Sequence, residues 1–230
     1  MQSLGTPAQR LSVRSPTTVY LPPQFDAKER SQALDIMRAH ALASLISVDD
    51  AGSPFVSHLP LHLEERGDAL VLLGHCAKAN PHWHYLRTRP QAVVTFMGPQ
   101  AYMSPKVYPD LVRVPTWNYL AVHCTVRATL LDDAQAKDQL LKQLIGDHDP
   151  AYASQWRALA PDYQQKMLSA IVAFELQVLD LQCKVKLNQH RPESHARMHA
   201  IYAAGNAEER ALADWMIRLG FDLPALVLPS

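Results

Sequence analysis

The chain has 230 residues, of which 48% are hydrophobic, and its 22 basic residues balance its 22 acidic ones. This composition is typical of a globular protein and excludes an intrinsically disordered chain or a strongly basic polyanion-binding one. The three cysteines, Cys76, Cys124 and Cys183, are isolated, which argues against a disulfide framework and fits a reducing compartment. No apolar run approaches the ~18 residues of a membrane span, and no signal-peptide pattern begins the chain, so we expect a cytoplasmic protein without a membrane association.

The predicted elements follow a stretch without periodicity. Residues 1–18 are rich in Ser, Thr, Pro and Gln and predict a disordered extension, with order beginning near Tyr20. Apolar runs bounded by turn residues predict strands at 42–48, 54–63, 69–75, 91–97, 119–131 and 170–187. Helical periodicity and cap residues predict helices at about 27–40, 80–86, 133–145, from 161, 192–203 and 207–219. Gly146 is expected at the C′ position of the third helix.

The stretch 119–131 shows the clearest strand pattern. Its apolar side chains alternate with polar ones, the period of a strand with one solvated face. Several strands joined by tight turns, with helices inserted between some of them, predict an antiparallel β-barrel with added helices, an α+β protein. The chain has neither a βαβ rhythm nor a Gly-x-Gly-x-x-Gly motif, which argues against a Rossmann domain.

An anion site is predicted where the third strand ends. His75 closes the strand, Lys78 follows in the loop, and Asn80-Pro81 begins a helix. Free N–H groups at the helix start, together with the Lys78 ammonium, would bind a phosphate. An ordinary helix start beside a solvated lysine accounts equally well for the same residues.

Two further blocks, 98–105 and 114–119, combine Gly or Pro with aromatic and short polar residues. Tyr102 and Trp117 offer aromatic faces, while Ser104, Thr116 and Asn118 offer hydrogen-bonding groups. An aromatic heterocycle with carbonyls and ring nitrogens would use such a set. The alternative is packing within the core or a loop, which explains many single aromatic residues beside proline.

Six segments in order give the chain a specific resemblance. They are Tyr-Leu-Pro at 20–22, Ser-His-Leu-Pro-Leu at 57–61, Gly-His-Cys-Ala-Lys-Ala-Asn-Pro at 74–81, Gly-Pro-Gln-Ala-Tyr-Met-Ser-Pro at 98–105, Val-Pro-Thr-Trp-Asn-Tyr at 114–119 and Lys-Val-Lys-Leu-Asn-Gln at 184–189. Together they resemble the PaiB-type family of FMN-binding proteins, often labelled negative transcriptional regulators. The resemblance covers about 19–200. It implies a split β-barrel related to the pyridoxamine-phosphate oxidase and flavin reductase barrels, and a homodimer with two FMN molecules at its interface.

The resemblance also implies a domain organisation. Residues 19–189 would form the FMN-binding split barrel with inserted helices, after the disordered extension 1–18. Residues 190–230 would form a C-terminal helical extension.

The same resemblance implies roles for particular residues. The segment from His75 through Ala77 and Lys78 to Asn80 resembles the phosphate-binding turn, with Lys78 where many relatives have Arg. Lysine keeps the charge without the bidentate fork of arginine. The strand residues implied to meet the isoalloxazine edge through backbone groups are Ser57, His58, Leu59 and Pro60.

The remaining implied contacts come from later segments. A loop of Thr116, Trp117 and Asn118 is expected to close over the ring or ribityl chain, from the same subunit or the second one. Lys186 and Gln189 resemble the Lys-x-x-Gln block of the family near the cofactor. Asn188 stands where a Ser is expected, and His190 where an Asn is common.

No metal site or catalytic group is assigned from the sequence. His58 and His62 would lie about 13 Å apart along a strand, too far for a shared metal ion. The only basic segment, 184–199, lacks a helix-turn-helix, so direct DNA binding is doubtful. The predicted function is that of an FMN-binding regulator. The alternative is an NAD(P)H-dependent flavin reductase or oxidase, and the sequence does not decide between the two.

Overall fold

The computed structural model describes residues 19–27, 29–110 and 112–223. Within these ranges the strands are β1 Leu42–Val48, β2 Pro54–Pro60, β3 His62–Arg66, β4 Ala69–Ala77, β5 Gln91–Met103, β6 Thr116–Leu131 and β7 Ile171–Lys186. The helices are α1 Arg30–Ala39, α2 His82–Thr88, α3 Ala134–His148, α4 Tyr152–Ala158, α5 Pro161–Ser169, α6 His195–Ala203 and α7 Ala207–Arg218. The expected disorder of 1–18 and the end of the C-terminal extension, 224–230, lie outside the described residues.

The strands form one antiparallel sheet in the order β2-β1-β5-β6-β7-β4-β3. Strands β2 and β3 are its two edges, yet Leu61 alone separates them along the chain. The sheet must therefore curl until its edges approach each other, although no hydrogen-bonded ladder joins them in the described sheet. This is an open, or split, barrel.

Gly74 on β4 makes room for Leu61, where the chain passes from the edge strand β2 to the edge strand β3. A Cβ at Gly74 would lie 2.4 Å from Cδ2 of Leu61 and 3.1 Å from the ring of Phe174. Leu61 is buried, and its N–H donates to the Ala41 carbonyl at 3.0 Å. The chain can pass from one sheet edge to the other because β4 presents no side chain there.

The core fills the inside of the curled sheet. The buried members of the alternating stretch, Val122, Cys124 and Val126, are fully enclosed, whereas Arg127 is exposed. Helix α1 contributes Ile36 to the same apolar cluster. A smaller cluster lies under α3, which covers the outer side of β3 and β4. The alternation predicted for 119–131 is confirmed.

The predicted strands and most predicted helices are confirmed, with five corrections. The predicted strand 54–63 is two strands, because the chain bends at Leu61. Strand β5 continues through an irregularity between Met97 and Gln100 as far as Met103. Thr116–Asn118, expected in a loop, begin β6. Helix α3 runs through Gly146 and ends at His148, so the C′ assignment was wrong, and α4 was not predicted.

Candidate functional site

The turn after β4 has a fixed backbone and an exposed cation. The Lys78 N–H donates to the Ala170 carbonyl at 2.8 Å, and the Lys78 carbonyl accepts from Nε1 of Trp83 at 3.0 Å. The N–H of Asn80 donates to the Ala77 carbonyl at 2.8 Å. The Lys78 side chain is exposed and belongs to no ion pair among the described residues. Its ammonium is therefore available to an external anion.

A buried polar network lies behind this turn. Ser57 Oγ accepts from Nδ2 of Asn80 at 3.0 Å and lies 2.8 Å from Nδ1 of His82. His82 is fully buried, and this burial lowers its pKa to about 4, so the imidazole is neutral at physiological pH. The network joins β2 to the turn that carries Lys78. We call Ser57, Lys78, Asn80 and His82 the Lys78 cluster.

The helix start itself is less open than predicted. Helix α2 begins at His82, whose N–H donates to Oδ1 of Asn80 at 3.0 Å. The N–H of His84 donates to the Pro81 carbonyl at 2.9 Å. The expectation of free N–H groups at this helix start was wrong for these two groups, because the turn satisfies them locally. Anion binding here would depend chiefly on Lys78.

The other residues predicted on β2 and β4 border this cluster. His75 is half-buried, burial lowers its pKa, and its Nδ1 is enclosed without a hydrogen-bond partner among the described residues. Ala77 is exposed at the end of β4. His58 bonds to Oγ of Ser44 at 3.0 Å. Since β2 is an edge strand, the outer backbone groups of the segment from Ser57 through Leu59 to Pro60 face away from β1.

Aromatic and cationic groups gather where β5, β6 and β7 meet. The rings of Tyr102 and Trp117, each about half exposed (50% and 49%), lie edge to face with centroids 6.2 Å apart. Nε1 of Trp117 donates to Oε1 of Gln100 at 3.0 Å. Nζ of Lys186 donates to Oγ1 of Thr116 at 2.8 Å. We call Tyr102, Thr116, Trp117 and Lys186 the Trp117 cluster.

Three other predicted contacts are engaged within the chain. Asn118 is fully buried, and its Nδ2 donates to the Tyr202 hydroxyl at 2.9 Å. Gln189 closes a local turn, accepting from the Leu187 N–H at 3.0 Å and donating to the Val185 carbonyl. Ser104 accepts from the Lys106 N–H at 3.2 Å. These side chains shape the surroundings of the Trp117 cluster rather than extend from its surface.

The two clusters lie towards opposite ends of β7. Lys78 bonds to Ala170, directly before β7, whereas Lys186 is the last residue of that 16-residue strand. A strand of this length spans about 50 Å of extended chain. The structure thus brings the predicted residues together as two groups, not one.

Sequence reasoning missed two buried members of this region. His82 was overlooked because a lone histidine at a helix start gives no signal of its contact with β2. Lys184 is only 6% exposed, its ammonium donates to the Tyr20 carbonyl at 2.7 Å, and it lies over the rings of Tyr20 and Tyr119. The period-two spacing of Lys184 and Lys186 is the signal that could have placed both on one face of β7.

The cysteines provide no reactive thiolate. Burial raises the pKa of Cys76 to about 11 and that of Cys183 to about 12, and it raises the pKa of Cys124 as well. Within the described ranges, no group of three His, Cys, Asp or Glu side chains could hold a metal ion. No helix in the same ranges is long and apolar enough to cross a membrane.

The side chains of the two clusters and of His75 fit a flavin mononucleotide. Lys78 offers an exposed ammonium for the phosphate, and His75 has a buried nitrogen without a partner among the described residues. Tyr102 and Trp117 offer exposed aromatic surface for a flat ring, and Lys186 lies close by. When bound, FMN supplies hydride and one-electron chemistry, and the protein supplies binding and orientation.

Comparison with known proteins agrees with this fit. Residues 19–180 match the family model described as “Putative FMN-binding domain”. The chain is 30% identical over 179 residues to the protease synthase and sporulation protein PAI 2 of Bacillus subtilis, covering 76% of this chain and 84% of that one.

Solved structures confirm the split-barrel fold. The flavocytochrome Anf3 of Azotobacter vinelandii has a TM-score of 0.57 at 20% identity and covers 71% of this chain and 70% of its own. An FAD- and heme-binding protein of Mycobacterium smegmatis has a TM-score of 0.54 at 20% identity, and the match covers 70% of this chain and 73% of that one. The chain therefore belongs to the FMN-binding domain family as a PaiB-type protein, and its cofactor is FMN.

Proposed function

We propose that the chain is an FMN-dependent regulatory protein that works as a homodimer, with each flavin held between the Lys78 cluster of one protomer and the Trp117 cluster of the other. The observation that carries this proposal is the separation of the two clusters along β7. An FMN molecule is far shorter than that strand. One protomer alone therefore does not offer the phosphate and ring contacts at one place.

An uncovered sheet face supports the homodimer. Leu42 on β1, Val56 on β2 and Met97 on β5 are 68%, 48% and 48% exposed. The strand register puts all three on the same side of the sheet, the side opposite the core. Several exposed apolar side chains on one sheet face commonly mark a protein interface. A second copy of the chain would cover it with an identical face, as a two-fold dimer requires.

Complementation between two variants tests the shared site. Lys78→Ala removes the phosphate cation and should weaken FMN binding by about 1.5–3 kcal/mol, the range for a hydrogen bond to a charged group. Trp117→Ala removes a ring contact from the other cluster. Lys166→Ala, at an exposed lysine on α5, is the matched control and should bind like the wild type.

Co-expression of the two variants gives the decisive result. If each site uses both protomers, a heterodimer contains one site with neither substitution, so about a quarter of all sites should bind tightly when subunits mix at random. If both clusters served one site within a protomer, no tight site would return. A wild-type protein that sediments as a monomer with flavin bound would also contradict the proposal.

The regulatory part of the proposal has separate support. The curated relative carries the name protease synthase and sporulation protein, and the resembled family is often labelled as transcriptional regulators. We infer that regulation acts without strong direct DNA binding. In the basic segment 184–199, Lys184 and Lys186 bond to groups of this chain, and the exposed cations are Arg191 and Arg197.

A gel-shift series against the protein's own upstream DNA tests this point. At about 0.15 M salt we expect weak, non-specific binding that falls steeply as salt rises. A sequence-specific nanomolar complex that is lost in the Arg191→Ala, Arg197→Ala double variant would contradict it. Aerobic oxidation of NADH and NADPH with FMN present distinguishes a regulator from the alternative, a flavin reductase or oxidase. A turnover above roughly 1 per second would favour the enzyme.

A further inference from the structure

Helices α6 and α7 lie against the strands that carry the Trp117 cluster. Both helices follow residue 180, where the match to the family model ends. Helix α7 packs along β5, and α6 contributes Met198 and Tyr202 to the core beneath β6. The helical pair thus lies outside the matched domain and touches this half of the site, to which the end of β7 also contributes Lys186 from beyond residue 180.

The first link runs through Gln100. Pairing of β5 with β1 covers only Val93 to Thr95, so the rest of β5 has an open edge on that side. The N–H of Gln100, on this stretch, donates to Oε2 of Glu208 in the first turn of α7 at 3.1 Å. The side-chain oxygen of Gln100 accepts from Nε1 of Trp117. Glu208 therefore holds the residue that orients the Trp117 indole.

The second link runs through Asn118. Its Nδ2 donates to the hydroxyl of Tyr202 at 2.9 Å and contacts Sδ of Met198 at 3.2 Å. The Tyr202 hydroxyl also lies 3.5 Å from the Tyr102 carbonyl. Asn118 and Tyr202 are both almost fully buried. One tyrosine on α6 therefore contacts β5 at Tyr102 and β6 beside Trp117.

We propose that Glu208 and Tyr202 are positioning residues for the flavin site, acting through Gln100 and Asn118 to fix the Tyr102 and Trp117 rings. This inference rests on the proposed function, because it takes the Trp117 cluster as the ring-binding half of the site. The C-terminal helices then set the shape of the flavin pocket without touching the flavin. The link through Tyr202 is buried and the link through Glu208 is exposed. Together they give the rings the hydrogen-bonded support that a preorganised binding site requires.

Four variants separate positioning from simple stability. Glu208→Ala removes the acceptor, and Glu208→Gln keeps an acceptor oxygen while losing the charge. Asp214→Asn, at an exposed carboxylate on the same helix, is the matched control for charge. Tyr202→Phe removes only the hydroxyl. Because a first-turn carboxylate also stabilises a helix, thermal unfolding alone does not distinguish the two roles.

Two readouts do distinguish them. The Trp117 indole resonance in a nitrogen-15 NMR spectrum, assigned with Trp117→Phe, reports the position of the ring in the protein without flavin. FMN affinity, measured by flavin fluorescence, reports the site. We expect Glu208→Ala and Tyr202→Phe to shift the indole resonance and weaken FMN binding about three- to tenfold, the scale of one or two lost hydrogen bonds. Glu208→Gln should restore most of the Glu208→Ala loss, and Asp214→Asn should match the wild type.

The outcomes separate the two proposals. An indole resonance that stays in place in Glu208→Ala overturns the positioning role, and so does a shifted resonance with unchanged FMN affinity. A wild-type protein that binds no FMN contradicts the proposed function instead. Equal losses of FMN affinity in Glu208→Ala and Asp214→Asn would show a general effect of negative charge on this helix and would also overturn the positioning role.

Discussion

Acid should destabilise the protein through His82, and the structure gives the size of the effect. His82 is fully buried, with Nδ1 against Oγ of Ser57 and Nε2 enclosed without a partner among the described atoms. Its ring also lies edge to face with Phe55, at 5.1 Å. A protonated imidazole would bring a charge into this apolar setting. Burial therefore lowers the pKa of His82 from 6.5 to about 4.

The sign of the pH effect follows from proton linkage. Between pH 6.5 and about 4 the unfolded chain binds a proton at His82 that the folded chain does not, so folding stability falls as pH falls. Each pKa unit is worth about 1.4 kcal/mol, which gives a total loss of about 3 kcal/mol across this window. Burial also lowers the pKa of His40, His75 and His123, and each adds a loss in the same direction.

Urea unfolding of matched variants isolates the His82 contribution. His82→Asn replaces the buried ring by a smaller group that can still hydrogen-bond to Ser57, so the variant should be less stable than the wild type at about pH 7. Because asparagine does not titrate, its free energy of unfolding should fall by about 1 kcal/mol less than that of the wild type for each pH unit below pH 6. His199→Asn, at a partly exposed histidine on α6, serves as the control and should keep the wild-type slope. An unchanged stability gap between wild type and His82→Asn from pH 7 to pH 5 would refute the reasoning.

Three other expectations concern packing, capping and thiol access. Gly74→Ala should destabilise the fold by about 1–3 kcal/mol in urea unfolding, because the new Cβ would overlap the buried side chain of Leu61. An unchanged unfolding midpoint would show that Leu61 can move to make room for the methyl group. Asn206→Ala should lower the free energy of unfolding by about 1 kcal/mol, since Oδ1 of Asn206 accepts from the Glu209 N–H in a capping box. Asn206→Asp should keep most of the wild-type stability, because aspartate also caps a helix. Cys76, Cys124 and Cys183 should react with a thiol reagent only slowly in the folded protein, and rapid labelling under native conditions would contradict their burial.

Local sequence signals predicted much of this fold because neighbouring residues produce them. The alternation at 119–131 reflects one buried and one solvated side of β6, and burial of Val122 and Cys124 follows it. Asn206 followed three residues later by Glu209 is the pattern of a capping box, and the structure contains both of its hydrogen bonds. Such features depend on contacts within a few residues, so the local order of residues is enough to predict them.

The features that escaped prediction depend on distant parts of the chain. The chain leaves β2 at Leu61 because the Leu61 N–H donates to the Ala41 carbonyl and its side chain packs against Gly74. No sequence pattern near residue 61 predicts these contacts. Strand β5 extends beyond Met97 because its last residues, 100–103, pair with residues 116–119 at the start of β6. Helix α7, more than a hundred residues later, adds Glu208 as an acceptor for the Gln100 N–H. The burial of Asn118 likewise depends on Tyr202. A polar residue beside a tryptophan therefore suggested a surface contact, although its amide lies in the interior.

The arrangement of the candidate site follows from the same distinction. The sequence places the Lys78 and Trp117 blocks about forty residues apart and leaves open whether one subunit supplies both to a flavin, and β7 separates them in the fold. If a second protomer closes that gap, FMN binding and dimerisation are linked equilibria, and each must strengthen the other. Dilution that separates the protomers would then release flavin, whereas a site within one chain would hold it regardless of protein concentration. In that case the concentration dependence of FMN affinity would follow from the topology, because the end of β4 and the start of β6 lie at the two ends of one long strand.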